Sequence, residues 1–117
     1  MLNFGKKPVY LCCGHTDMRK SINGLTILVK NSFKMDPFHE SVFVFCNRAR
    51  DRIKILEWDT DGFWLYFKRL ERGRFRWPGE GNEKTLVLTN EEMAHLIGGA
   101  KLEKKLKRNE ILGRSVS

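Results

Sequence analysis

Two hydrophobic periods alternate along this chain, and the places where one gives way to the other mark out its elements. Val9 to Cys13 is a continuous apolar run stopped by Gly14, the pattern of a buried first strand. Met18, Ile22, Leu25, Val29 and Phe33 then fall at helical spacing. They predict a long helix, capped by Thr16 or Asp17 and running to about Ser32. Gly24 weakens that helix and Asp36-Pro37 closes the region as a turn. Ser41 to Cys46 returns to β-branched and aromatic residues and reads as a second strand.

Ile53 to Trp58 and Phe63 to Leu70 flank Asp59-Thr60-Asp61-Gly62, the strongest hairpin signal in the sequence. In the second arm Phe63, Leu65 and Phe67 share one face, and Trp64, Tyr66 and Lys68 the other. The first arm alternates less cleanly, because Ile53 and Ile55 are out of phase with Leu56 and Trp58. A bulge or burial on both faces accounts for that. After a turn at Glu71 to Gly73, arginines at 72, 74 and 76 alternate with Gly73, Phe75 and Trp77, predicting one more strand with a cationic face. Residues 78–82 are a loop by composition, and Thr85 to Leu88 has strand character. Thr89 and Glu92 form a capping box for a helix through Met93, Leu96 and Ile97, ended by Gly98-Gly99. These elements make a single α+β domain over residues 1–100: an antiparallel sheet of about five strands, one long helix on it and a shorter C-terminal helix. Residues 101–117 form a basic helix or tail beyond it.

Composition narrows the class. A chain of 117 residues with 41% hydrophobic and 31% charged residues fits one soluble domain with a core of its own. Its longest apolar runs fall well short of the roughly 20 residues a membrane span needs, and the N-terminus has no signal-peptide core, so a cytoplasmic, nucleoid-associated protein is expected. Cys12, Cys13 and Cys46 are an odd number without a Cys-x-x-Cys pair and read as buried free thiols. A zinc site from Cys13, His15, His39 and Cys46 fits no common module, and no cofactor is expected.

The net charge of +8 is unevenly placed. Residues 48–77 hold nine Lys/Arg against five Asp/Glu and residues 101–117 six against two, whereas 78–100 hold one against four. Interleaved cations and aromatics suit a polyanion, with nucleic acid first among the choices. Arg48, Arg50, Arg52, Lys54, Lys68, Arg69, Arg72, Arg74 and Arg76 are the expected phosphate contacts, with Trp64 or Tyr66 stacking on an unpaired base. The segment from Gly14 to Lys20 offers a helix N-terminus beside Arg19 and Lys20 that could hold a phosphate, although simple capping explains the same polar residues.

Asp51, Glu57, Asp59 and Asp61 invite a metal-dependent nuclease reading. They crowd one hairpin, where tight turns favour Asp for conformational reasons, and this reading ranks last. His15, His39 and His95 lie in no nucleophile motif, and there is no phosphate-binding glycine loop.

The run Gly14-His15-Thr16-Asp17-Met18-Arg19-Lys20-Ser21, then Phe43-Val44-Phe45, Asp51 to Leu56, Trp58-Asp59, Asp61-Gly62-Phe63 and Lys68 to Pro78, resembles one family in order over about residues 8–78. It is similar to the TnpB accessory proteins of the insertion sequence 66 family of bacterial transposable elements, which are distinct from the RNA-guided nucleases sharing that name. Two departures stand out: His15 where proline is commoner, and a weak match after Gly98. The resemblance implies a protein encoded beside a separate DDE-type transposase and needed for transposition. Joined to the basic and aromatic pattern, it leads to the expectation of non-enzymatic assistance through DNA binding, with DNA at the element ends and that transposase as expected partners. An adaptor that binds the transposase without reading DNA is the alternative, because protein interfaces also favour Arg, Trp and Tyr.

Overall fold

A computed structural model of the chain describes residues 3–79 and 81–98. Seven elements follow in order: β1 (Val9–Cys12), α1 (Ile22–Asn31), β2 (Val42–Cys46), β3 (Arg52–Asp59), β4 (Gly62–Arg69), β5 (Thr85–Leu88) and α2 (Asn90–Ile97). The five strands form one sheet in the order β4-β3-β2-β1-β5.

The sheet is mixed, which corrects the antiparallel expectation. β1 and β2 run parallel, with Val9 opposite Val42 and Leu11 opposite Val44, while the other three pairings are antiparallel. The cause lies between those two strands. A hairpin cannot join parallel neighbours, and the segment carrying α1 is the crossover they require. As the central strand, β2 is buried along its whole length, so it reads as an unbroken apolar run and not as an alternation.

Each face of the sheet has its own core. Val9, Leu11, Val42, Val44, Ile53 and Ile55 meet Phe4, Phe75 and Trp77, with Met93 and Leu96 of α2, on one side. Cys12, Phe43, Phe45 and Leu56 meet Leu25 and Val29 of α1 on the other. The irregular phase of β3 is burial on both faces: its register with β4 runs without interruption from Arg52↔Arg69 to Asp59↔Gly62. No bulge is needed.

The first helix is shorter than its periodicity suggests. It has ten residues, and its N-cap is Ser21, which makes no side-chain capping bond. Neither Thr16 nor Asp17 caps it. Asp17 instead closes a turn of its own, its Oδ1 accepting from the Arg19 amide at 2.9 Å, so the chain is spent on a local turn before the helix begins. At the C-terminal end the capping box forms as expected: the Glu92 amide donates to Thr89 Oγ1 at 3.0 Å and the Thr89 amide to Glu92 Oε1 at 2.8 Å. Gly98 is the C-cap; Gly99 and the basic segment 101–117 lie outside the described residues.

The arginine segment is no strand. Residues 70–79 pair with no other strand and carry a turn at Gly73, whose φ is +78°. The alternation survives without a ladder, since Phe75 and Trp77 are buried while Arg72, Arg74 and Arg76 are exposed. The segment is a strap over the open end of the first core. The Phe75 amide donates to the Arg50 carbonyl at 2.7 Å, the Trp77 indole N–H to the Cys12 carbonyl at 2.9 Å, and the Gly14 amide to the Pro78 carbonyl at 3.0 Å. Two aromatic plugs and these hydrogen bonds, with the Leu70 amide donating to the Asp51 carbonyl at 2.7 Å, hold it in place of a ladder.

Candidate nucleic-acid interface

The basic end of the molecule is organised by Asn47, at the turn between β2 and β3. Its side-chain oxygen accepts from the amides of Asp51 and Arg52, both at 3.0 Å, while its side-chain nitrogen donates to Asp51 Oδ1 at 2.7 Å. That last bond, ahead of the nearby Arg52 and Arg74, holds the Asp51 carboxyl below the usual carboxylate range. Arg50 takes a left-handed φ of +66° to complete the turn. Its guanidinium points inward and donates to the Trp77 carbonyl, clasping turn to strap. Arg50 thus serves the fold, whereas Arg48 projects from the same turn into solvent.

Around this turn the fold gathers the ends of three other segments. Arg52 opens β3 and Arg69 closes β4, and the two stand directly opposite one another in register. Like charges so placed are unfavourable unless an anion intervenes. Arg69 bonds Glu71 at 2.9 Å, which relieves part of the repulsion. The strap passes alongside, carrying Arg72, Arg74 and Arg76. Among the described residues, the side chains of Arg52, Arg72, Arg74 and Arg76 find no ion-pair or hydrogen-bond partner. They are available to a ligand.

An open cleft of about 990 Å³ lies beside this end, on the face of the sheet that carries α1. Because α1 starts only at Ile22, it leaves the lower half of β4 uncovered, and Leu65 and Phe67 become the floor of the cleft. Its rim carries Arg19, Arg48, Arg52 and Lys54. Lys54 is fixed there by donating to the Lys20 carbonyl at 2.7 Å, with its ammonium 5.9 Å from the Phe67 ring centre. Arg48 reaches His15 Nε2 at 3.3 Å across the cleft mouth. Arg19 is gripped by Asp17 through both of its carboxylate oxygens, the shortest contact being 2.7 Å. That grip holds the Asp17 carboxyl down to about 2 and raises Arg19. Arg19 and Lys20 both precede α1, and the Lys20 stem lies beside Gly24 in its first turn.

The remaining expected contacts lie elsewhere. Lys68 is on the opposite face, donating to the Ile97 carbonyl at the C-terminal end of α2. Tyr66 packs edge-on against Phe4 and donates its hydroxyl to Glu57 Oε1 at 2.8 Å. Burial, with Glu57 behind it, pushes the Tyr66 phenol up to about 12. Trp64 stacks on Tyr66 and donates its indole N–H to Asp59 Oδ2 at 3.1 Å. Both rings sit at the acidic end of the sheet, where Glu57 is also bound by Lys7 at 2.7 Å. Phosphate is poorly served there.

The sequence points to Trp64 and Tyr66 as stacking rings, whereas Phe67, which shares the other face with Phe63 and Leu65, is the exposed ring beside the cations of the cleft. The signal that would have found it is the length of α1. Among the described residues no three or more His, Cys, Asp or Glu side chains come together to hold a metal ion. All three cysteines are buried free thiols. Burial raises each of them, Cys46 to about 12. No described helix is long and apolar enough to cross a membrane.

The family model described as IS66 Orf2-like protein matches residues 7–107. Two curated relatives from Sinorhizobium fredii, the uncharacterised proteins y4hO and y4jC, are each 35% identical to this chain. The first alignment spans 78% of both chains, the second 71% of this chain and 70% of the relative. No solved structure matches. With the family model covering most of its length, the chain belongs to the IS66 Orf2-like family of insertion-sequence proteins.

Proposed function

We propose that this protein assists transposition of its insertion sequence by gripping the DNA backbone at the basic end of its sheet, without catalysing a chemical step. The observation that carries the reading is convergence. Arg48, Arg52, Arg69, Arg72, Arg74 and Arg76 come from a turn, two strand ends and a strap, yet meet around one end of the fold. Solubility needs no such arrangement. The direct Arg52–Arg69 opposition costs stability that a bound phosphate would return. DNA, together with the element's DDE-type transposase, is the expected partner, and three of the four carboxylates that suggested a nuclease, Asp51, Glu57 and Asp59, are engaged in a turn, an ion pair and an indole contact.

The test is binding to element-end and scrambled DNA across a range of salt, with and without the transposase. The Arg72, Arg74 and Arg76 side chains are exposed, so replacing all three by Gln leaves the core intact. The triple variant is expected to keep its circular dichroism and to weaken on both DNAs. Its salt slope should become shallower by about 0.9 for each lost phosphate contact. A folded variant with the parent's affinity and slope on DNA, but without transposase binding, would replace this reading by the adaptor one.

A further inference from the structure

We propose that the cleft between the 47–52 turn and β4 takes an unpaired nucleotide, whose base stacks on Phe67 while its phosphates lie against Arg48 and Arg52. The inference rests on the DNA-binding reading and adds to it the strandedness of the ligand and the ring that recognises it. Cations alone would be explained by a duplex backbone. The floor is not: Phe67 remains 56% exposed, and together with Leu65 and Met18 it lines one apolar surface inside a ring of positive charge. A duplex hides the faces of its bases, so it could touch the rim but would leave that floor wet. An unpaired base covers it.

The volume agrees. At about 990 Å³ the cleft is at the upper end of the range for small-ligand sites, roughly 300–1,000 Å³, and has room for a nucleotide with its flanking phosphates. Lys54 strengthens the site from within, since its ammonium is pinned by the Lys20 carbonyl near the Phe67 ring. Of the polar side chains lining the cleft, Asn47 is committed to Asp51 and Asp17 to Arg19, which leaves the Thr16 hydroxyl and the His15 ring to meet a base edge. Few groups remain to read base edges, so recognition is tolerant of sequence. Trp64 is the contrasting case: equally exposed at 56%, it stands among carboxylates and donates to one of them. Phosphates on either side of a base there would meet Asp59 and Glu57, with Lys7 already held by both.

Fluorescence anisotropy with the full chain, using a labelled oligothymidine and a duplex of the same length, separates the two kinds of ligand. The oligothymidine is expected to bind more tightly. Phe67→Ala should weaken it about 5- to 140-fold, the range for losing one stacked base, while leaving duplex affinity and the salt slope as in the parent. Phe67→Leu keeps the apolar contact but has no ring and should lose as much, which guards against misfolding of the alanine variant. Phe67→Trp should retain binding, and Trp64→Ala should have no effect. Duplex bound as tightly as the single strand, or an oligothymidine affinity unmoved by both Phe67→Ala and Phe67→Leu, overturns the nucleotide site and leaves backbone gripping in place. Failure to bind either DNA overturns both.

Discussion

Replacing Lys7 by Met should destabilise this fold more than removing any of its exposed arginines, although the net charge moves toward neutrality. Lys7 donates to Glu57 Oε2 at 2.7 Å and to the Trp58 carbonyl at 2.9 Å, and Glu57 also accepts from the Tyr66 hydroxyl at 2.8 Å. The paired side chains are only 17% and 11% exposed. Removing one partner of a fully buried pair costs about 3–5 kcal/mol, and of an exposed pair about 0–1 kcal/mol. Because Tyr66 still serves one oxygen of Glu57, the expected loss is about 2–3 kcal/mol, with Met retaining the packing of the lysine stem. At about 4–8 °C per kcal/mol for a domain of this size, the melting temperature should fall by about 8–24 °C. Urea unfolding gives the free energy directly. Alkaline titration gives a second readout. Burial disfavours the Lys7 charge, but the hydrogen bond and attraction of Glu57, with Glu40 and Asp59, outweigh it and raise its pKa. Tyr66 is raised to about 12. Raised groups contribute fully below their unfolded values, near 10 for both residue types, and lose that contribution as pH climbs through the folded values. The parent should therefore lose stability from about pH 10 towards 12, and Lys7→Met should lose less over that window. Lys7→Met/Glu57→Leu should recover part of the loss, because an apolar pair avoids desolvating charge. A single variant within about 0.5 kcal/mol of the parent, with the same alkaline profile, would refute the network's role.

Tyr66→Phe should cost about 1–2 kcal/mol in urea unfolding through the lost bond to Glu57, yet leave DNA affinity unchanged, since that ring is committed to the fold. Trp77→Phe should cost about 1–3 kcal/mol by the same measurement, because the buried Cys12 carbonyl loses its indole donor. Thr60 holds a φ of +57° in the β3–β4 hairpin, where a β-branched residue is strained. Thr60→Asn should raise the melting temperature by a few degrees, reflecting a gain of up to about 1 kcal/mol. The three thiols, buried and raised in pKa, should resist iodoacetamide at neutral pH in the native protein and react only on unfolding, as mass spectrometry of the labelled chain would register.

Local signals carried the elements whose causes are local. The capping box at Thr89 and Glu92 and the hairpin around Thr60-Asp61 act within a few residues, and both formed where the sequence put them. The apolar phase of β3 also held, once burial on both faces was allowed for. What failed depended on partners far along the chain. Parallel pairing of β1 with β2 is decided by the crossover, not by either strand's composition. The arginine segment has perfect strand alternation, yet it leaves the free edge of β4 unpaired, packs Phe75 and Trp77 into the first core and forgoes the ladder. Met18 sits in phase with the helical repeat yet lies before α1, because the Asp17–Arg19 turn competes successfully for those residues.

That last failure is what exposes the site. A helix beginning at Thr16 or Asp17 would have added about one and a half turns at the end nearest the 47–52 turn, roughly 8 Å of rise at 1.5 Å per residue. Met18 would then belong to it, over the part of the sheet where Leu65 and Phe67 now face the cleft. Shortening α1 therefore leaves that part of the sheet open as the floor of the cleft, with Arg19 at its rim. The Asp17–Arg19 pair does this cheaply, as an exposed turn with no buried polar group to satisfy. Asp17→Ala removes the acceptor that organises the turn, so it should let helix extend toward Thr16. The amide chemical shifts of residues 16–21 would report that change. If they keep their turn values, the pair follows the short helix and does not cause it.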